Sequence, residues 1–463
     1  MMTAGVLDRM GWAWIRRFGD VLGPSASLLG TTIVTSAMGF VYWWAAARLA
    51  PIREVGAATA VISTMTLVGA IGMFGFGTML IAEAGRRRNV VGPLVATSLL
   101  VVTVLATGLA VLSWAGLRLA HGGAIGEAMA SSWAALGFIV GVGLTAGGQV
   151  LDQALIGLRA SSVQLYRNTY FSVVKLVLLV LLALAMGRHS QVTMVWAWVV
   201  GIAVSLVPTA GHLAARGYRL GQPIRLSELR GVAVTTFHHN TLNFTLFLPR
   251  MALPLLAASL LSARANAAFY AAWMITSFVY ILPVHLSTAL FAVAIGDTRG
   301  LAPRLSAALR ISLLLGGAVA VAMAALGGLA MGSFGAGYET ARTALVVMAI
   351  AYFPTIFKQY YVAVARVGNK LRKAGVVCGI GAVLELGLPG GMGWLYGVDG
   401  IALGFLAAAT LEAIYYTPLV LRALRLEGRH RAPPGQSPAR GQRVAPPAAP
   451  SRRPGAGRSR AGR

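Results

Sequence analysis

The sequence predicts an all-α polytopic membrane protein with about twelve transmembrane helices. Three observations carry this. Stretches of about twenty nearly uncharged residues recur from Ser25 to Leu421, and a helix of that length crosses roughly 30 Å of hydrocarbon. The mean hydropathy is +0.73 with only 11% charged residues. The loops between the apolar stretches are alternately rich and poor in arginine. Lipid offers no partner to an unpaired backbone group, so the spans must be helical.

The expected spans are 25–47, 57–82, 90–119, 130–156, 169–187, 193–214, 232–258, 268–295, 305–331, 340–363, 375–395 and 400–421. Eighteen Lys and Arg fall in the N-terminal segment and the even-numbered loops, including Arg86, Arg87, Arg88, Arg366, Lys370, Arg372 and Lys373. Six fall on the opposite side: Arg48, Arg53, Arg118, Arg188, Arg264 and Arg342. Positive charge stays cytoplasmic, which places both termini inside. The formal charge of +26 is therefore largely a topology signal and calls for no nucleic acid. Another 11 Arg, from Arg422 onward, suit anionic lipid headgroups.

Before the first span, residues 1–24 interleave Trp12, Trp14, Ile15 and Phe18 with Arg16 and Arg17. This reads as an interfacial amphipathic helix without a cleavable-signal pattern. Residues 25–214 form an N-terminal six-helix lobe, 215–231 a basic cytoplasmic linker, and 232–426 a C-terminal six-helix lobe. From 427 to 463 the composition turns to Pro, Ala, Gly and Arg, which reads as a disordered cytoplasmic tail.

The two lobes look like a repeat. Val55-Gly56-Ala57-Ala58 pairs with Ala265-Asn266-Ala267-Ala268, and Gly77-Thr78-Met79-Leu80 with Ser287-Thr288-Ala289-Leu290, about 210 positions apart. Leu158-Arg159-Ala160 pairs with Ala365-Arg366-Val367. Six spans per half give both halves one orientation, related by an axis along the membrane normal. Duplicated lobes around a site are the geometry of alternating access.

Leu29-Gly30-Thr31-Thr32, Ala47-Arg48-Leu49-Ala50-Pro51, Gly75-Phe76-Gly77-Thr78 and Ala154 to Ala160 resemble the polysaccharide-biosynthesis flippases. So does Phe269-Tyr270 running into Leu282-Pro283 and Leu286 to Phe291. These flippases belong to the multidrug/oligosaccharidyl-lipid/polysaccharide exporter superfamily, and the resemblance covers residues 25 to about 422. It implies two lobes enclosing a central cavity, and turnover of an undecaprenyl-type lipid-linked glycan across a bacterial plasma membrane. Membrane lipids, a polysaccharide polymerase and glycosyltransferases are the further partners it implies. Lipid II flippases usually carry two more C-terminal spans, and the charged tail here favours the oligosaccharide branch.

Polar residues within spans are the candidate site. On span 7, His239, Asn243 and Arg250 share one helical face with Leu246. Arg250 reads either as a phosphate or sugar-acid contact or as a cation snorkelling to the outer headgroups. Lys358 and Gln359 on span 10, with Tyr352 nearby, form the second substrate-binding set. Asp152 on span 4 is either an ion-coupling site or the salt-bridge partner of Lys175. Glu385 and Glu412 interrupt apolar spans and can pair with Lys358 or Arg310. His285 reads as a core histidine. Six of the seven span prolines lie in the second half, so more bent helices are expected there.

The single cysteine, Cys378, rules out an internal disulfide or a cysteine metal cluster, and no cofactor or catalytic residue is expected. No phosphate-binding loop is visible, so driven transport would draw on an ion or substrate gradient. Two alternatives remain open. One is a cation-coupled drug exporter of the same superfamily. The other is a membrane glycosyltransferase or glycan ligase, which would need catalytic groups on outer loops that hold little beyond Glu54, His121, Glu127, His189, Glu339 and Asp399.

Overall fold

A computed structural model describes residues 32, 34–73, 75–86, 91–120, 123–129, 131–158, 160–186, 190–215, 222–227, 233–294 and 300–426. The expected amphipathic segment (1–24), the tail (427–463) and most of the linker lie outside these residues. Among the described residues the regular structure is helical throughout, with no strand. Ten of the helices are long and apolar enough to cross a membrane.

The first lobe contains α1 (34–49), α2 (Ile52–Gly72), α3 (Phe76–Arg86), α4 (Val91–Ala120), a short α5 (Gly123–Ala128), α6 (Ser132–Gly157), α7 (Ser161–Met186) and α8 (Gln191–Ala215). The second contains α9 (Ala233–Leu260), α10 (Ala263–Ala294), α11 (Leu301–Ile311), a π turn (Ser312–Gly316), α12 (Gly317–Gly332) and α13 (Arg342–Val367). The last helical stretch, Leu371–Leu426, has 56 residues, about 84 Å if straight. Gly397 breaks it with φ 61° and ψ −135°, a conformation open to glycine. Residues equidistant from 396–397 then meet: Gly393 faces Ile401, Gly400 faces Met392, Gly404 faces Leu388, and Tyr416 reaches Cys378. The stretch is an antiparallel hairpin, α14 (371–396) and α15 (398–426), and the two expected spans are both present.

Two features depart from the expected spans. Span 2 is not one helix, because Gly75 has φ 82° and separates α2 from α3. Span 9 changes pitch at Ser312–Gly316, where carbonyls lose their regular partners. Tyrosines of α13 take them up: Tyr352 Oη donates to Ser312 O (2.6 Å) and Tyr360 Oη to Ala308 O (2.7 Å). Elsewhere Thr59, Thr64, Thr97, Thr107 and Thr209 return their hydroxyls to carbonyls three or four residues back, which pairs these donors within their own helices.

Residue size sorts the helices by depth. α2 opens with Val55, Gly56, Ala57, Ala58 and Ala60, which are all buried, and neighbouring backbones close on it. α7 presents Val173, Val177, Leu181 and Leu184 outward, the pattern of a lipid-facing rim. Glu54 accepts from the Gln191 N–H (2.7 Å), so an anion sits at the start of α8 and ties it to α2.

Contacts between the lobes cluster at one end. Asn266 Nδ2 on α10 donates to Gly56 O (2.9 Å) and to Thr59 Oγ1 (3.1 Å) on α2. Trp44 Nε1 and Arg48 Nε on α1 both reach Ser333 O, at 3.0 and 2.8 Å. The Ala124 N–H reaches Leu261 O (3.0 Å). Aromatic contacts continue the seam, with Trp43 against Tyr270 and Phe40 against Phe278 and Phe334.

Candidate functional site

The second lobe buries a triad of charges. Lys358 Nζ on α13 lies 2.7 Å from Glu385 Oε2 on α14 and 3.1 Å from Glu412 Oε1 on α15. All three residues are buried, and Gly381 makes room, since a Cβ there would overlap the Glu412 carboxylate. Two carboxylates against one ammonium leave the triad one negative charge in excess. Glu412 Oε2 has no hydrogen-bond partner.

Beside this triad is a cavity of ≈ 360 Å³. Arg250, Lys358, Gln359, His285 and Glu385 give it polar walls, while Trp273, Tyr280 and Phe405 give it an aromatic one. Thr32 and Ser36, preceding and opening α1, bring the first lobe to its edge. The aromatic wall is locked by edge contacts, Trp273 to Phe405 at 5.8 Å and Tyr280 to Phe405 at 6.2 Å between ring centroids. Arg250 lies ten residues before the end of α9, about 15 Å along its axis. Among the described residues no carboxylate lies within salt-bridge distance of Arg250, although Glu385 and Tyr280 in the same wall interact with it electrostatically.

The expected substrate residues divide accordingly. Arg250, Lys358 and Gln359 line one cavity although they come from two distant spans. Asn243 lies on the exposed part of α9 and accepts from Arg366 Nη2 (2.7 Å). Tyr352 is fully buried, away from the cavity wall, with its hydroxyl given to the π turn. The His239 side chain lies outside the described residues. His285, read from sequence as a core histidine, is in the cavity wall. The aromatic wall carried no sequence signal, because Trp273, Tyr280 and Phe405 sit in apolar runs like any core aromatic.

Asp152 occupies the other lobe. Arg167 of α7 forks onto it, Nε to Oδ1 at 2.8 Å and Nη2 to Oδ2 at 2.5 Å, and Asn168 Nδ2 adds a contact at 3.3 Å. Both carboxylate oxygens are thereby engaged. Lys175, the salt-bridge partner the sequence suggested for Asp152, is instead boxed by Trp198, Phe171 and Tyr42, with Nζ 3.7, 4.4 and 5.0 Å from the ring centroids. Asp152→Ala should therefore act on stability, because it strands the Arg167 guanidinium. A loss of up to about 3–5 kcal/mol is expected, with partial recovery when Arg167→Met is added. Thermal unfolding in detergent reads both, and an unchanged midpoint for Asp152→Ala would remove the clamp from the account.

No family model and no curated protein matches the sequence. Solved structures do match. The inward-facing conformation of a multidrug resistance MATE family transporter of the MOP superfamily superposes with a TM-score of 0.64 at 14% identity, over 86% of this chain and 96% of that one. The fold is that of a MATE transporter. The outward-facing conformation of a multidrug resistance MATE family transporter gives 0.55 at 14% identity, over 89% and 96%. A MATE in complex with MaL6 gives 0.54 at 15%, over 87% and 96%.

Proposed function

We propose that this chain is an alternating-access membrane transporter that moves an anionic, lipid-linked oligosaccharide between leaflets. The observation that carries the reading is Arg250, a guanidinium well inside a spanning helix with no carboxylate within salt-bridge distance among the described residues, on the wall of a cavity beside the lobe seam. A buried guanidinium that shares the wall with Glu385 but forms no ion pair with it keeps its fork available to a phosphate, which it can grip through two parallel hydrogen bonds. Lys358 is already committed to two carboxylates, so the anion contact falls on Arg250. Trp273, Tyr280 and Phe405 offer apolar faces on which sugar rings stack. At ≈ 360 Å³ the cavity suits the pyrophosphate-proximal part of a headgroup, while the lipid tail stays in hydrocarbon.

The alternating-access part is supported by the MATE fold, which recurs in inward- and outward-facing conformations. The glycan part rests on the sequence resemblance and on the cavity's chemistry. A second reading, a cation-coupled drug exporter, is favoured by Glu385 standing in the cavity wall beside the same aromatics, which suits an organic cation. Reconstituted vesicles separate the two. A fluorescent polyprenyl-pyrophosphate glycan should change leaflet in vesicles holding the protein and stay put in empty ones. Proton- or sodium-driven uptake of an organic cation dye without glycan movement would reverse the assignment.

A further inference from the structure

The repeat and the interlobe seam meet at one place. Gly56 and Asn266 occupy matching positions of the two halves, 210 residues apart, and they touch, Asn266 Nδ2 to Gly56 O at 2.9 Å. Two symmetry-related residues can be in contact only where the axis passes between them. An axis relating the two sequence repeats would pass beside this contact, where a rocking of one lobe against the other would strain it.

Around this side-chain contact the two helix backbones approach closely. A Cβ on Gly56 would overlap the Ala263 carbonyl and lie 3.1 Å from Ala267 N, so only glycine lets α2 and α10 close this far. Trp273, at the edge of the cavity, follows Asn266 on the same helix by seven residues, about 10 Å. The latches of Trp44 and Arg48 onto Ser333 O, and of Ala124 onto Leu261 O, lie at the same end. The Asn266 amide is only half satisfied: Nδ2 has two acceptors, but no donor of the protein reaches its buried Oδ1. A buried unpaired acceptor favours separation, because water would satisfy it once the lobes part. The closed seam is thus held by close packing and opposed by one orphaned group, which suits an element that must exist in two states.

We propose that Gly56 and Asn266 form the axial gate that closes the cavity toward this end, and that their separation is the opening step of the transport cycle. The proposal rests on the transporter reading. The higher similarity to the inward-facing MATE than to the outward-facing one supports it.

The test uses the full chain with Cys378→Ala and a reporter cysteine, Ser277→Cys, in the cavity wall. An impermeant maleimide is applied separately to inside-out and right-side-out vesicles. Gly56→Ala should raise labelling by about tenfold on the side from which the reference protein is poorly labelled. Asn266→Ala should shift it the same way by less, since it removes the tether without the wedge. An unchanged two-sided labelling pattern in Gly56→Ala would overturn the gate. This readout needs no transport substrate, so it stands or falls separately from the glycan assignment. A second pair guards against a misfolded wedge: Thr59→Cys with Asn266→Cys, in the Cys378→Ala background, cross-linked by oxidation. Transport should stop on oxidation and return on reduction, and transport that continues through the cross-linked seam would sink the proposal.

Discussion

Lys358→Met should unfold the C-terminal lobe at a markedly lower temperature, with a loss of about 3–5 kcal/mol. The reason lies in what the substitution leaves behind. Glu385 and Glu412 come from opposite arms of the α14–α15 hairpin, and Lys358 of α13 is the cation that lets both stay in one apolar interior. Without it, two like charges face each other within the fold, and Glu412, which does not line the cavity, cannot reach water without opening the hairpin. Replacing all three by methionine should return most of the stability, because a buried ion cluster can be exchanged for apolar groups of similar volume at little net cost. Unfolding followed by tryptophan fluorescence in detergent compares the single and triple variants. A single variant as stable as the parent protein would show that the triad does not hold the hairpin together.

What the sequence disclosed follows from which physical signals are local. A run of twenty apolar residues must be a helix in lipid wherever it lies, so most spans were legible, including the two arms meeting at Gly397. Breaks inside apolar runs were not. Gly75 ends α2 through its backbone conformation, and the π turn at Ser312–Gly316 arises from Tyr352 and Tyr360, two residues on another helix. Hydropathy is blind to both. The pairing of Lys358 with glutamates was legible because a charge within a span demands an opposite one nearby. The partner expected for Asp152 was Lys175, but Arg167, also on α7, takes that place because its face meets α6. Lys175 instead found Tyr42 and Trp198 on other helices, a contact that no sequence spacing encodes. The cavity's aromatic wall was invisible for the same reason: its members are ordinary core residues until the fold turns them inward.

Arg250→Ala should abolish glycan movement while leaving the protein folded and inserted. The contrast with Lys358 is the point of the comparison, since both are cations within spans of the same lobe. Lys358 neutralises two buried carboxylates, so its removal strands them. Arg250 has no carboxylate within salt-bridge distance among the described residues, so its removal breaks no ion pair and only weakens an attraction on Glu385, and the unfolding midpoint should fall far less than in Lys358→Met. Transport is another matter. Drawing a pyrophosphate to mid-depth without a counter-charge is opposed by the low dielectric around the cavity. Two charge-assisted hydrogen bonds at about 1.5–3 kcal/mol each correspond to a rate loss of two orders of magnitude or more. Arg250→Lys should keep part of the rate, because an ammonium supplies the charge but not the planar fork that matches two phosphate oxygens. The measurement is leaflet exchange of the fluorescent lipid-linked glycan in vesicles matched for protein content. If Arg250→Ala moved the glycan at the parent rate, the guanidinium would play no part in binding and the anion would have to be held elsewhere.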